Sequence, residues 1–316
     1  MTIRLALATG ADYLGVDADG PAFPAALRAE GIDAHRVVWD EPRDWTAFDA
    51  VLLRSTWDYP DKLADFLAWT RAVPRLVNSV ELVAWNADKH YLAELAEAGL
   101  PVVPTRYVAP RCDRDAATGS DWAAAVGVWP PDRSEVGVWP QDCAEVVVKP
   151  AVSASARDTG RFPVGDPAAG DLIAAIHAGG RVAMVQPYLS QVDVEGEGSL
   201  VYFGGRFSHA ARKTALLAPG AAPFREPEAG ELTEDQPHPG LQVIEADPDQ
   251  RRVADAVMAH LEDRHEVPVY ARIDLLPSSA RPVVLEVELI EPNLWLHAPG
   301  APERFAAAVR AALTGR

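Results

Sequence analysis

The stretch AEVVVKPAVSASARDTGRF, residues 144–162, decides how the chain is read. Its three valines have the length and β-branching of a short buried strand. Lys149 closes that strand, and a loop of small residues follows. An ammonium at the end of a buried strand calls for a reason, because desolvating a charge is costly unless something neutralises it. The chain holds four lysines (Lys62, Lys89, Lys149 and Lys213) against 25 arginines. Where arginine is the default cation, a lysine marks a position that needs a compact point charge rather than a planar fork.

Working outward, 316 residues exceed one ordinary core and call for two or three packed units. Hydrophobic content of 48% and charged content of 24% are those of a globular protein in water. A net charge of −17 argues against nucleic acid, whose phosphates need a basic surface. Any anionic ligand then requires a local basic site. The only cysteines, Cys112 and Cys143, give no disulfide framework. The N-terminal MTIRLALATGADYLG reads as a first strand and not as a signal peptide. No apolar run nears the ~18 residues of a membrane span, so a cytoplasmic protein with no membrane partner is expected.

Upstream of the opening stretch, strands are expected at Ile3–Ala8, Ala34–Val38 and Ala50–Arg54, with helices at Ala22–Glu30 and Lys62–Arg71. Strands alternating with helices imply a parallel, doubly wound sheet. A further helix carries Leu92, Leu95 and Ala96, with Asn86 or Asp88 as its N-cap and Gly99 and Pro101 as its stop. Residues 111–143 hold VGVWPPDRSE followed by the near-duplicate VGVWPQDCAE, an inserted loop with Trp129 and Trp139. Downstream, strands are expected at Glu145–Lys149, Val182–Gln186, Ser199–Phe203, Arg206–Lys213, Val269–Leu276 and Val283–Glu291. Helices fall at Ala168–His177, Asp249–Arg264 and Ala301–Leu313. The GGR at 204–206 makes a hairpin, so this half is α+β with antiparallel pairing.

Four strands carry charge where apolar residues are expected. Lys149 ends VVVKP and Lys213 ends GGRFSHAARK; YARIDLL carries Arg272 and Asp274 on one face, and PVVLEVELIEPN carries Glu286, Glu288 and Glu291, then Asn293. One such strand is an ordinary wet face. Together they fit a triphosphate balanced by a divalent metal. Carboxylate oxygens suit Mg²⁺, the lysines neutralise phosphate, and the loop AVSASARDTG, with Ser153 and Ser155 inside it, offers close backbone N–H groups. Competing signatures are missing: no P-loop, no dinucleotide fingerprint, no zinc spacing among eight histidines and no serine nucleophile elbow.

In this order the pieces resemble the ATP-grasp superfamily: DKHYLAELAEAGLPVVPT, VVVKP with its loop, VQPYL, EGEGSLVYF, a strand ending in lysine, ARIDLL and a Glu-rich last strand. The resemblance covers nearly all of the chain from Asn78 onward. It implies a Rossmann-like pre-grasp domain (1–85), a central ATP-lid subdomain (86–186) and a C-terminal antiparallel-sheet subdomain (187–316). It further implies that Lys89 and Lys149 hold ATP phosphates and that Gln186 and Leu189 meet the adenine through backbone groups. Glu197 takes the ribose hydroxyls, Lys213 and Arg272 lie near the transferred phosphoryl, and Asp274 and Glu286 hold Mg²⁺. The usual Glu-x-Asn metal pair is replaced at that register by Glu286-x-Glu288; a literal Glu-x-Asn occurs only at Glu291–Asn293.

Within the superfamily, LLRSTWDY, VN at 77–78, VVVKPAVSASARDTGRF and ELIEPNLWL look most like the branch that closes O-ureidoserine to cycloserine. PFREPEAGE keeps that branch's Phe224 and Arg225 but has Ala229-Gly230 where a Gly-Gly pair is usual. The implied chemistry is carboxylate activation by ATP, as in antibiotic biosynthesis, on a small amino-acid-like substrate. Arg54, at the carboxyl end of a parallel strand, is placed to grip a substrate carboxylate or to form a surface ion pair. Ser55, Trp57, Asp58 and Tyr59 follow as substrate walls or as a turn leading into a helix. Peptide-type coupling of two amino acids and a non-catalytic ATP sensor are the alternatives, and the sequence is compatible with a homo-oligomer.

Overall fold

A computed structural model describes residues 2–15, 21–110, 135–136, 139–223, 240–278 and 281–315. The first sheet is parallel: β1 (Ile3–Thr9), β2 (Ile32–Val38), β3 (Ala50–Ser55) and β4 (Leu76–Val77) lie in the order β2-β1-β3-β4. β3 is buried along its whole length, as expected of a central parallel strand covered on both faces. Helices α1 (Ala22–Ala29) and α2 (Leu63–Ala72) supply the crossovers.

The helix expected after Asn86 or Asp88 is α4 (Tyr91–Glu97), and a further helix, α3 (Val80–Asn86), capped by Ser79, precedes it. Asn86 is the last residue of α3 and Asp88 accepts from His90 N, so the chain turns between the helices at Lys89. Leu82, Leu92 and Leu95 bury into one cluster with Leu200, Ile273 and Val287 of the C-terminal sheet. This pair of helices therefore packs on the far end of the chain.

The central sheet contains β5 (Thr105–Val108), β6 (Glu135–Val136), β7 (Glu145–Pro150), β8 (Gly160–Pro163) and β9 (Ala183–Pro187), in the order β6-β5-β9-β7-β8. Helix α5 (Pro167–Ala178) covers it, opened by Asp166 accepting from Ala168 N, with Pro167 in its first turn. Most of the duplicated loop, Trp129 included, lies outside the described residues. Trp139 lies under the Arg106 guanidinium, 4.3 Å from ring centroid to Cζ.

After the short helix α6 (Val192–Glu195) comes the C-terminal sheet. It has β10 (Glu197–Phe203), β11 (Arg206–Lys213), β12 (Gln242–Ile244), β13 (Tyr270–Leu276) and β14 (Val283–Glu288), in the order β12-β11-β10-β13-β14. Gly204 and Gly205, at φ +55° and +73°, make the two-residue hairpin turn that needs positive φ. Helix α7 (Pro248–Arg264) packs on this sheet, and α8 (Ala301–Thr314) returns to the first domain, where Phe305 stacks on Phe23. β14 stops at Glu288, three residues before the expected end at Glu291. Asn78 stitches the domains together: its Nδ2 donates to the carbonyls of Tyr270 and Leu289, and its Oδ1 accepts from Val269 N. Asn86 does the same with Val287 and Leu289. No helix among the described residues is long and apolar enough to cross a membrane.

Candidate active site

The site assembles from strand registers. Asp274 pairs with Glu286 and Arg272 with Glu288 across β13 and β14, while Glu197 pairs with Lys213 across β10 and β11. Period-two alternation then places all of them on one face. The Arg272 guanidinium grips Asp274 bidentately, Nε to Oδ1 at 2.9 Å and Nη2 to Oδ2 at 2.8 Å. It also donates to Glu288 Oε1 and, through Nη1, to the Asn293 carbonyl at 3.0 Å. Lys213 Nζ pairs with Glu197 and with Asp274 Oδ2 at 3.2 Å. Beneath both cations lies the Trp295 ring, 4.8 Å from Arg272 Cζ and 5.8 Å from Lys213 Nζ.

Facing this wall stand Lys149 and Lys89. The Lys89 backbone is fixed at both ends, its N–H donating to the Ala151 carbonyl and its carbonyl accepting from Tyr107 OH. Its Nζ reaches Glu286 Oε1 at 3.0 Å and the Ser153 carbonyl at 2.9 Å. Lys149 is 7% exposed, yet no hydrogen bond or ion pair to its ammonium occurs among the described residues. Burial pushes its pKa down, against the pull of Glu286, Glu197 and Asp274. Those carboxylates belong to the opposite wall, so Lys149 looks into the same space.

The remaining charges follow from the same geometry. Burial works to raise Asp274, but Arg272 and Lys213 outweigh it and hold its carboxyl well below the ordinary range. Burial also opposes ionisation of Glu286, which Lys89 and Lys149 keep ionised. Glu288, with one strong partner and acidic neighbours, is pushed up by burial to about 7. Glu291 is raised well above the carboxylate range by burial and by Glu288. Burial also raises Glu197. For Lys213 burial is overcome by Asp274 and Glu197, and the pKa rises.

The residues read as nucleotide contacts lie along the central sheet and its exit. Gln186 is buried and its Nε2 donates to Thr105 Oγ1 at 2.9 Å, so its side chain is already engaged. Leu189 packs with Val103, Val192 and Leu276. Ser153 is buried under Lys89, while Ser155 stands in the left-handed region at φ +54°.

On the pre-grasp side, Arg54 is 7% exposed and its guanidinium lies over the Phe23 and Phe305 rings. It lines a small cavity with Leu7, Thr9, Arg36 and Ser55. Arg54 therefore sits inside the protein at the end of β3 rather than on its surface. Trp57 Nε1 donates to the Glu291 carbonyl at 3.0 Å, which brings this turn to the end of the Glu-rich segment. Asp58 accepts from Trp39 Nε1 and pairs with Lys62, so it holds the turn together. The Tyr59 phenol is buried, and its proton is held more tightly by burial and by Glu291, Glu286 and Glu288.

No group of three or more His, Cys, Asp or Glu among the described residues is arranged as a ready-made metal cage. Mg²⁺ usually takes one or two carboxylates and completes its shell with water and phosphate oxygens. Asp274 and Glu286 pair across β13 and β14 as oxygen donors, with Glu288 opposite Arg272 further along the same strands. Glu291 and Asn293 lie beyond the strand, and Asn293 Oδ1 accepts from Trp295 N at 3.2 Å, so its side chain stabilises a turn. Sequence patterning missed Trp295 and Arg157. Both sit in irregular segments where no periodicity marks the inward face.

A pre-grasp parallel sheet, two antiparallel sheets and a cleft of facing cations and carboxylates define an ATP-grasp ligase. Residues 5–78 match the D-cycloserine synthetase DcsG N-terminal domain. The chain is 37% identical to the cycloserine biosynthesis protein DcsG of Streptomyces lavendulae, with 92% of each chain covered. Its structure superposes on the crystal structure of D-cycloserine synthetase DcsG with a TM-score of 0.83 at 36% identity, covering 98% of this chain and 99% of that one. It also superposes on D-alanine–D-alanine ligase of Bacillus anthracis complexed with ATP, with a TM-score of 0.60 at 13% identity and 99% and 98% coverage. The chain belongs to the D-cycloserine synthetase DcsG family.

Proposed function

We propose that this ligase uses Mg·ATP to activate the carboxylate of a small O-ureidoserine-like amino acid, which then closes into a ring. The supporting observation is Lys149: a buried ammonium with no direct partner, facing three carboxylates, is a phosphate site in charge and in geometry. A substrate carboxylate oxygen attacks the γ-phosphorus, the bond to the β-phosphate oxygen breaks, and ADP leaves. A nitrogen of the same molecule then attacks the acyl carbon, the C–N bond forms, and orthophosphate departs.

The protein's own part is positioning and charge neutralisation. Lys89 and Lys149 hold phosphate oxygens under the loop that carries Ser153 and Ser155. Gln186 and Leu189 present backbone groups to the base, and Glu197 meets the ribose. Arg272 and Lys213 oppose the charge that develops on the transferred phosphoryl group. Asp274 and Glu286, with Glu288 beside them, are the groups that would hold Mg²⁺. Bound there, it would supply positive charge against the phosphate oxygens. Arg54, Ser55, Trp57 and Asp58 line the substrate side.

Coupling of two separate amino acids differs only in the source of the nitrogen. The sensor alternative falls away with membership of a ligase family. Incubation with ATP, Mg²⁺ and O-ureidoserine should release ADP in proportion to acid, with the cyclic product seen by mass spectrometry. A linear dipeptide instead would replace ring closure with coupling. ADP release indifferent to any amino acid would overturn carboxylate activation.

A further inference from the structure

The small-residue loop after Lys149 is held from three sides. Lys89 Nζ donates to the Ser153 carbonyl at 2.9 Å, and Lys89 also pairs with Glu286 of the C-terminal sheet. Arg181 Nη2 reaches Asp158 at 2.6 Å from within the central subdomain. The third contact crosses to the pre-grasp domain: Arg157 Nη1 pairs with Asp61 Oδ2 at 2.6 Å, and Nη2 donates to the Trp57 carbonyl at 3.0 Å. Ala154 is buried in the same pre-grasp cluster as Tyr59, Phe66 and Ile290, with Val152 and Trp57 packed against it. Trp57 in turn donates through Nε1 to the Glu291 carbonyl. Arg157 thus joins the loop over the phosphate site to a turn that touches the end of the Glu-rich segment.

We propose that Arg157 is a positioning residue that latches the phosphate loop to the Trp57–Asp61 turn, so that loop closure over nucleotide and ordering of the acid-binding turn occur together. The inference rests on the nucleotide and acid sites proposed above. A guanidinium suits the task because its planar fork holds a carboxylate and a carbonyl at once, which an ammonium does less well. The consequence is coupling: phosphoryl transfer proceeds when the acid is in place, and water is a poor substitute for it.

The test is hydrogen exchange on the full chain with Mg²⁺ and a non-hydrolysable ATP analogue, comparing wild type with Arg157→Ala and Arg157→Lys. Nucleotide should slow exchange at both 151–160 and 56–62 in the wild type. In Arg157→Ala it should slow exchange at 151–160 alone, with Arg157→Lys in between. Equal protection of both segments in wild type and Arg157→Ala overturns the latch. Absence of protection anywhere in the wild type overturns the nucleotide site itself, and the latch with it. In turnover, Arg157→Ala should raise the KM for the acid about tenfold, leave the KM for ATP within threefold, and lower the ratio of product to ADP. A fall in kcat with both KM values and that ratio unchanged marks a merely structural residue and also overturns the proposal.

Discussion

Two lysines end strands on opposite walls of the cleft, and they differ in what surrounds them. Lys213 is paired with Glu197 and Asp274, inside a network that Arg272 extends to Glu288. Lys149 is as deeply buried and has no direct partner among the described residues. Their pKa values move in opposite directions for that reason, up for Lys213 and down for Lys149. The C-terminal wall is therefore a network of directly paired charges. The central wall carries an ammonium with no direct partner, offset only through space by Glu286, Glu197 and Asp274. A directly paired network contributes to folding, whereas an ammonium without a direct partner contributes to binding an anion.

The largest expected effect lies in the network. Arg272→Met leaves the Glu288 carboxyl without its strong partner and removes the bidentate grip on Asp274, which is 2% exposed. Breaking a buried pair from one side costs about 3–5 kcal/mol, so chemical denaturation should show a loss of that order together with loss of turnover. Lys149→Met breaks the comparison from the other side. Removing one preorganised charge at a phosphoryl-transfer site lowers turnover by about 10²–10³. Stability without nucleotide should hold or rise, because a penalised charge is gone. A clear loss of stability in Lys149→Met would show that the protein itself already neutralises this ammonium.

Alkaline titration sharpens the contrast. The folded-state pKa of Lys149 is lowered, so its burial penalty is present in full below that value and disappears as pH rises towards the unfolded value near 10.5. The folded-state pKa of Lys213 is raised, so its contribution is complete below 10.5 and is lost only above it. As pH rises towards 10.5 the stability of wild type relative to Lys149→Met should rise, while wild type relative to Lys213→Met should stay flat. Paired denaturant series at several pH values give both slopes.

How much of this was legible in the sequence follows the same division. Strand-borne charges announced themselves because period-two alternation says which residues share a face, as Arg272 with Asp274 and Glu286 with Glu288 show. Lys149 stood out because lysine is rare here. Residues that act outside regular elements left no such trace. Trp295, left-handed at φ +46°, and Arg157 in the small-residue loop have no periodicity to place them. The extra helix α3, and the turn that separates it from α4, were hidden for a related reason. The chain turns at Lys89 because the Ala151 carbonyl takes its N–H, and that partner is 62 residues away in sequence (151 − 89). Arg54 illustrates a third limit, since its position at a strand end was legible but its burial over Phe23 and Phe305 depends on α8 returning from the far end of the chain.

The smallest expected effect concerns that loop. Ser155, Ala156 and Asp158 all take positive φ, and for Ala156, at +53°, no side-chain hydrogen bond compensates. A left-handed alanine costs roughly 1–2 kcal/mol, whereas Gly in its place gives back about 0.4–1 kcal/mol through the freer unfolded chain. Ala156→Gly should therefore raise stability by up to about 1 kcal/mol, read as a small increase in Tm. The same freedom makes the loop easier to open, so the KM for ATP should rise about two- to threefold while kcat holds. A higher Tm with an unchanged KM would mean that the loop's conformation is fixed by Lys89, Arg157 and Arg181 rather than by its own backbone. The strain at Ala156 would then be a by-product of where those three side chains pull.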